Sequence, residues 1–370
     1  MHIKKISLSN FRNFEKAEIE LASNVNIFIG NNAQGKTNLL EAIYVAGFGK
    51  SFRTSKDIEL IKMECDTATT HLSAIKFDRE FTIDYRIKKN KKKEIKVNGS
   101  SLTKISELIG FFNIVIFSPE DLKLIKGTPV DRRKFIDREL SHISPSYCAK
   151  LIEYHKILIQ RNNLLRQIST KNSLKSTLPI WNEKLSTVGT EIILRRIEFI
   201  EKLNITSNKI HYGISDGKEV LALIYLPNLK SARLCDKLKI IDEFEKKLLD
   251  SEFTDIKRGF TSVGPHRDDM TFLINEIDIR NYGSQGQQRT AALSLKLSEI
   301  EIIKEEVGEY PILLLDDVMS ELDIYRQNDL VKTLSKMQMI ITTTDVNNIF
   351  SENIANARIF SVNSGKIQMI

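Results

Sequence analysis

The sequence predicts an α/β fold in which a sheet-based part, split between the two ends of the chain, encloses a mostly helical insertion. Three observations carry this. A short apolar strand runs into a glycine-rich loop and a helix at Val25–Val45. Long runs with apolar residues at three- and four-residue spacing fill the middle of the chain. A second short apolar run, ending in two acids, stands at Pro311–Asp317.

The chain has 370 residues, enough for about two domains. It is 41% hydrophobic and 28% charged, the balance of a globular protein with a real core. The net charge of +7 permits a nucleic-acid partner without requiring one. Cys65, Cys148 and Cys235 are far apart and form no C-x-x-C pair, so neither a disulfide framework nor a zinc site is supported. No run approaches the ~18 apolar residues of a membrane span. The N-terminus alternates like a strand and lacks the apolar centre of a signal peptide. A cytoplasmic location and no membrane contact are expected.

Ile3–Leu8 and Ala17–Leu21 alternate apolar and polar, as half-buried antiparallel strands do. Val25–Ile29 is more continuously apolar and fits a buried central strand. Strands are expected at His71–Phe77, Phe81–Ile87 and Glu94–Val97, with Asn98-Gly99 as a hairpin turn. The lysine run Lys88–Lys93 fits a solvated hairpin tip. From Pro119 the texture changes. Helices are expected over Pro129–Leu140, Pro145–Ile168, Thr177–Ile210 and Lys237–Leu249, with one strand at Glu219–Tyr225. Strand character resumes near Phe260. The expected division is residues 1–119 and 256–370 for the split lobe, and 120–255 for the helical one.

Gly30-Asn-Asn-Ala-Gln-Gly-Lys-Thr37 matches G-x-x-x-x-G-K-[ST] between a strand and a helix. Gly30 and Gly35 let the backbone curl so that N–H groups of Asn31, Asn32, Ala33, Gln34 and Asn38 converge on phosphates at the helix N-terminus. Lys36 brings a charge to the outer phosphates, and Thr37 can place its hydroxyl on Mg²⁺. These residues predict ATP binding.

Asp316 and Asp317 follow an apolar strand, and ligands of parallel sheets sit beyond the carboxyl ends of strands. Asp316 suits a Mg²⁺ ligand beside Thr37. Asp317 suits a base that orients and deprotonates the attacking water. Tyr282-Gly-Ser-Gln-Gly-Gln-Gln-Arg289 then opens a helical run ahead of these acids. A polar N-cap explains Ser284, but not the Gln285-Gly286-Gln287-Gln288 series at that distance from the acids.

In order and form these elements resemble an ABC-type ATPase head, with a P-loop sheet, an antiparallel β-subdomain and an inserted helical second lobe. Ser284–Gln288 stand where that superfamily has its signature loop, Ser320-Glu-Leu-Asp323 its D-loop, and Thr344 its switch histidine. The resemblance implies that the signature loop completes an ATP site on another copy, so that two chains sandwich two ATP molecules.

Further blocks narrow the likeness: Leu8-Ser-Asn-Phe-Arg-Asn-Phe14, Gly49-Lys-Ser-Phe-Arg-Thr54, Phe117-Ser-Pro-Glu-Asp-Leu122, Gly127 to Asp137, and Gly264-Pro-His-Arg-Asp-Asp269. The chain resembles the RecF family of bacterial recombination ATPases over essentially its whole length. That resemblance implies an ATP-dependent homodimeric clamp on duplex or gapped DNA, a weak DNA-stimulated ATPase, and work with RecR and RecO in loading RecA. A structural SMC-like clamp with little hydrolysis is the alternative; a transporter nucleotide-binding subunit lacks such an insertion and such blocks.

Several residues have two readings. Arg12 contacts nucleotide or is a solvated strand-end charge. Arg132 and Arg133 contact DNA or pair with acids. His266 and Arg267 serve an interface or are structural. Asp317 stands where the superfamily usually has Glu, one methylene longer. Thr344 cannot carry a histidine's charge, and Ser118 stands near the expected Q-loop glutamine. These departures predict slow hydrolysis, with Asp317, Lys36 and Thr344 as the catalytic set.

Overall fold

The computed structural model describes residues 1–317, 336–344 and 357–370. In chain order its main elements are β1 (His2–Phe11), β2 (Phe14–Glu20), β3 (Val25–Ile29), α1 (Lys36–Phe48), β4 (Thr67–Lys76), β5 (Arg79–Lys88), β6 (Glu94–Val97), β7 (Ser100–Ser101) and β8 (Ile114–Phe117). The middle of the chain holds α2 (Lys123–Lys126), α3 (Pro129–Ile143), α4 (Pro145–Ile168), α5 (Leu178–Ile214), β9 (Leu221–Leu226), α6 (Lys237–Asp250) and α7 (Glu252–Arg258). Then follow β10 (Asp269–Ile274), β11 (Ile277–Asp278), α8 (Ile279–Tyr282), α9 (Gln285–Val307), β12 (Ile312–Asp316), β13 (Met339–Thr343), β14 (Arg358–Asn363) and β15 (Lys366–Met369). The chain forms two compact units, Met1–Asp121 with Ile303–Ile370, and Leu122–Ile302.

Among its described residues the first unit holds two sheets. One is antiparallel, ordered β2-β1-β4-β5-β6-β7. Its alternation follows the sequence: Ala68, Leu72 and Ala74 face inward on β4, as do Phe81, Ile83, Tyr85 and Ile87 on β5. A register shift between Ile3 and Lys5 lets both Ile3 and Ile6 point into the core. Asn98 and Gly99 both have positive φ, 49° and 79°, the pair a tight hairpin turn requires.

The second sheet is ordered β15-β14-β3-β13-β12-β8, with β14, β3, β13, β12 and β8 parallel. Val25–Phe28, Ile312–Asp316, Met339–Thr343 and Ile114–Phe117 are buried throughout, as strands covered on both faces must be. Register aligns Asp316 with Thr342 and Thr343 with Ile29, so these strands end along one edge. Helix α1 is buried nearly all round and packs in the core that joins both sheets.

The second unit is built on α3, α4, α5 and α6 and a small antiparallel sheet ordered β11-β10-β9. Thr128 and Asp131 form a capping box that starts α3, and Ser144 caps α4 by accepting from the Tyr147 N–H. The return boundary lies at Ile302/Ile303 rather than near residue 255. The cause is β9, which pairs with β10 and so draws Asp269–Ile274 and much of α9 into the core of the helical unit. The strand expected near Phe260 begins only at Asp269, because Pro265–Arg267 form a 3-10 turn. No helix among the described residues is long and apolar enough to cross a membrane.

Candidate functional site

The loop between β3 and α1 needs two backbone geometries that a side chain would oppose. Gly35 has φ 115°, and a Cβ there would lie 2.4 Å from the Asn13 amide nitrogen. A Cβ on Gly30 would lie 2.3 Å from the Val362 carbonyl oxygen. Close packing dictates both glycines, and the positive φ dictates Gly35 as well. Gly30 donates its N–H to the Thr343 carbonyl at 3.3 Å, tying the loop to the end of β13. Asn13 braces the other side: its amide donates to the Gln34 carbonyl at 2.8 Å and accepts from Asn38 at 2.9 Å. The Gly365 N–H donates to the same Gln34 carbonyl at 3.2 Å.

Helix α1 starts at Lys36 with no side-chain cap and no acid in its first turn. Its first N–H groups and the positive end of its dipole thus suit an anion. The Lys36 ammonium donates to the Gly30 and Asn31 carbonyls at 2.5 and 3.0 Å. Burial pulls its pKa down, and the Asp317 and Asp316 charges oppose that pull.

The acids stand where the parallel strands end. The Asp316 carboxylate accepts at Oδ1 from the Thr37 hydroxyl at 2.8 Å and the Thr342 hydroxyl at 2.9 Å. Burial pushes its pKa up, against those two hydroxyl donors. Thr37 and Asp316 thus present two hard oxygen ligands side by side, a set that fits a Mg²⁺ completing its shell with water and phosphate. Asp317 turns out of the strand at φ 55°, with its N–H donating to the Thr342 hydroxyl and carbonyl, each at 3.2 Å. Thr344, exposed, follows β13 directly at this same edge. Ser118 follows β8 there too, its N–H donating to Asp121 at 2.7 Å. Asp323 lies outside the described residues.

Arg12 is not a solvated strand end. Its guanidinium grips the fully buried Glu41 of α1 through Nε and Nη2 at 2.9 and 2.8 Å, and donates to the Glu59 carbonyl at 2.7 Å. Glu41 also accepts from the Ser51 hydroxyl at 2.5 Å and from Arg53 at 3.3 Å, while Arg53 donates to Asn38 at 2.8 Å. Sequence reasoning missed Glu41, Asn13 and Thr342. Their one available signal was for Asn13, which stands inside the Leu8–Phe14 block. Lys93, at the end of the basic run, turns inward to Asp57 at 2.8 Å and the Gly49 carbonyl at 2.7 Å. Lys88, Lys91 and Lys92 are exposed.

In the second unit, α8 ends at Tyr282 and Ser284–Gln288 open α9. Ser284 accepts at Oγ from the Gln287 N–H at 3.2 Å, and Gln287 Oε1 accepts from the Ser284 N–H at 2.9 Å. This reciprocal pair is a capping box, and it leaves Ser284, Gln285 and Gly286 exposed. Gln288 instead turns inward and donates to the Ile279 carbonyl at 2.7 Å.

The blocks at Gly127–Asp137 and Gly264–Asp269 meet in one ion-pair network. Arg132 is bidentate on Asp269 at 2.7 and 2.9 Å, and Arg133 donates to the Asp268 carbonyl at 2.6 Å. Asp137 accepts from Arg196 at 2.7 Å and Tyr147 at 2.6 Å. For Arg132 this is the pairing reading; Arg133 bonds a main-chain carbonyl and, among the described residues, no carboxylate, so both of its readings stand. His266 accepts at Nδ1 from the Tyr154 hydroxyl at 2.7 Å and donates from Nε2 to the Thr261 carbonyl at 3.0 Å. Burial holds its pKa down at about 4, so it is neutral near pH 7. Arg267 donates to that same carbonyl and stacks over Phe260. These side chains tie the two blocks to each other within the second unit.

The family model for the RecF/RecN/SMC N-terminal domain matches residues 2–368. The chain belongs to the RecF family. It is 44% identical over 366 residues to the DNA replication and repair protein RecF of Clostridium tetani, covering 99% of both chains. It is 45% identical over 368 residues to the RecF of Alkaliphilus oremlandii, covering 99% of this chain and 100% of that one. The solved structure of the recombination mediator protein RecF with ATP, from the RecFOR pathway, superimposes with a TM-score of 0.94 at 41% identity, covering 100% of this chain and 97% of that one. An SMC head bound to the winged-helix domain of ScpA shares the fold alone, at TM-score 0.57 and 18% identity.

Proposed function

We propose that this chain is an ATP-dependent DNA clamp of recombinational repair, working inside the cell as a homodimer that closes around two ATP molecules. The observation that supports it best is the phosphate site: a loop braced by Asn13, an uncapped helix N-terminus, and Thr37 and Asp316 set 2.8 Å apart. In this reading N–H groups from Asn31 to Asn38 bind the phosphates, and Lys36 exchanges its loop carbonyls for phosphate oxygens. Thr37 and Asp316 hold Mg²⁺, which neutralises phosphate charge when bound. Asp317 orients the attacking water and takes its proton. Thr344 donates a hydrogen bond in place of a histidine. Arg12 works at one remove, fixing α1 through Glu41.

Ser284 and the N-terminus of α9 would reach the γ-phosphate held by a second copy. Hydrolysis is slow in this reading, because Asp317 is short and Thr344 is uncharged. DNA is held chiefly through phosphates by a basic surface, so binding weakens steeply with salt. RecR and RecO act with the ATP-bound dimer on gapped DNA to load RecA.

The test is a pair of variants. Lys36→Ala loses nucleotide binding, whereas Asp317→Asn keeps it and accumulates an ATP-bound dimer on DNA. An Asp317→Asn protein that stays monomeric with ATP and binds no DNA would defeat the proposal.

A further inference from the structure

The capping box of Ser284 and Gln287 leaves one question of orientation. A glutamine amide can present either its oxygen or its nitrogen to the Ser284 N–H, and only the oxygen caps it. The structure contains a group that decides this. Glu219 lies just beyond α5, after a turn in which Asp216 and Gly217 have positive φ. Its Oε1 accepts from Gln287 Nε2 at 2.9 Å. A carboxylate only accepts, so the amide nitrogen must face Glu219 and Oε1 must face Ser284.

Glu219 is itself held. Its Oε2 lies 3.0 Å from Nε2 of His211, a fully buried residue in the last turns of α5. Nε2 must therefore carry a proton and donate. On the other side of the ring, Nδ1 lies 3.1 Å from the hydroxyl of Ser294, which belongs to α9. The chain Ser284–Gln287–Glu219–His211–Ser294 thus leaves α9 at its first turn and returns to it. With Nε2–H given to Glu219, Nδ1 accepts from the Ser294 hydroxyl, whose oxygen also lies 2.8 Å from the Thr290 carbonyl. With its oxygen accepting from the Gln287 N–H, the exposed Ser284 hydroxyl keeps its own proton for an outside acceptor.

We propose that Glu219 and His211 are positioning residues of the signature loop, orienting Gln287 so that Ser284 and the first N–H groups of α9 aim at a phosphate on a second copy. This rests on the proposed ATP-sandwich function. It adds that the end of α5, the longest helix of the second unit, sets the aim of the loop.

The test compares wild type with Glu219→Ala, Gln287→Glu and the exchange Glu219→Gln/Gln287→Glu. Each is measured for ATP binding by the single copy and for ATP-dependent self-association by sedimentation, with thermal melting as a folding control. Glu219→Ala should bind ATP within about twofold of wild type yet associate about tenfold more weakly, the scale of a lost hydrogen bond to a charged group. Gln287→Glu sets two carboxylates face to face and should associate more weakly still. The exchange re-creates every donor and acceptor. The amide introduced at position 219 donates to the new carboxylate at position 287 and accepts from His211 through its oxygen. That carboxylate still caps the Ser284 N–H, so association should return to within about threefold of wild type. Unchanged association in Glu219→Ala, or an exchange no better than Gln287→Glu alone, would overturn the positioning role. Failure of the wild-type protein to associate with ATP would instead bring down the proposed function, and this inference with it.

Discussion

Replacing Gly35 by alanine loads the phosphate loop at its tightest point. Two costs follow from the geometry. The backbone there sits at φ 115°, ψ 5°, outside the left-handed region that L residues tolerate, for about 1–3 kcal/mol. The new Cβ would stand 2.4 Å from the Asn13 amide nitrogen, so that side chain must move. Its hydrogen bonds to Gln34 and Asn38 are then lost, at about 0.5–1.5 kcal/mol each. The total is about 2–6 kcal/mol, and its lower end is about 30-fold in affinity. A loop that relaxes to escape the strain no longer converges its N–H groups, so the loss falls on ATP binding. Titration calorimetry on the single copy measures it. Asn13→Ala removes the two hydrogen bonds without the strain and should weaken ATP by about fivefold or more. In the double variant the hydrogen bonds are lost once and the strain is added to that, so the two single losses should sum to more than the double loss. ATP affinity in Gly35→Ala within threefold of wild type would refute this reasoning.

Other outcomes can be checked more simply. Arg161 and Asp255 are both fully buried and 3.0 Å apart, so Asp255→Asn should cost about 3–5 kcal/mol and lower the melting temperature clearly. His266 has a folded pKa of about 4 against 6.5 when unfolded, so below pH 6.5 the unfolded state binds the proton first. Stability should therefore fall as pH drops from 6.5 towards 4, by up to about 3 kcal/mol from this residue. His266→Gln should lose that part of the acid sensitivity in urea melts across this window. Glu41→Gln weakens its ion pairs with both Arg12 and Arg53, and should loosen the start of α1 and weaken ATP binding in the same calorimetric assay.

Much of the site could be read from sequence because its chemistry is local. Gly30–Thr37 is one contiguous loop between a strand and a helix, and Asp316 and Asp317 end an apolar strand that can only be buried. The helices at Pro145–Ile168 and Lys237–Asp250 carry their own start signals, a proline at N1 in one and an Asp236 cap in the other. What sequence hid depends on pairing over long separations. Glu41 looks like one more acid on a helix, yet two arginines from separate segments converge on it. Arg132 and Asp269 are neighbours only because α3 packs on β10. The division near residue 255 failed for a related reason, since nothing local to Asp269–Ile274 says that its partner strand is Leu221–Leu226. The capping box at Ser284 is local, but its tie to Glu219 is not.

The central claim is that ATP joins two copies of this chain through Ser284. Sedimentation with and without ATP, on wild type and Ser284→Arg, tests it most directly. The account predicts a wild-type dimer only with ATP, and a Ser284→Arg protein that binds ATP normally but remains a monomer. A wild-type monomer at saturating ATP, or a Ser284→Arg dimer, would contradict it.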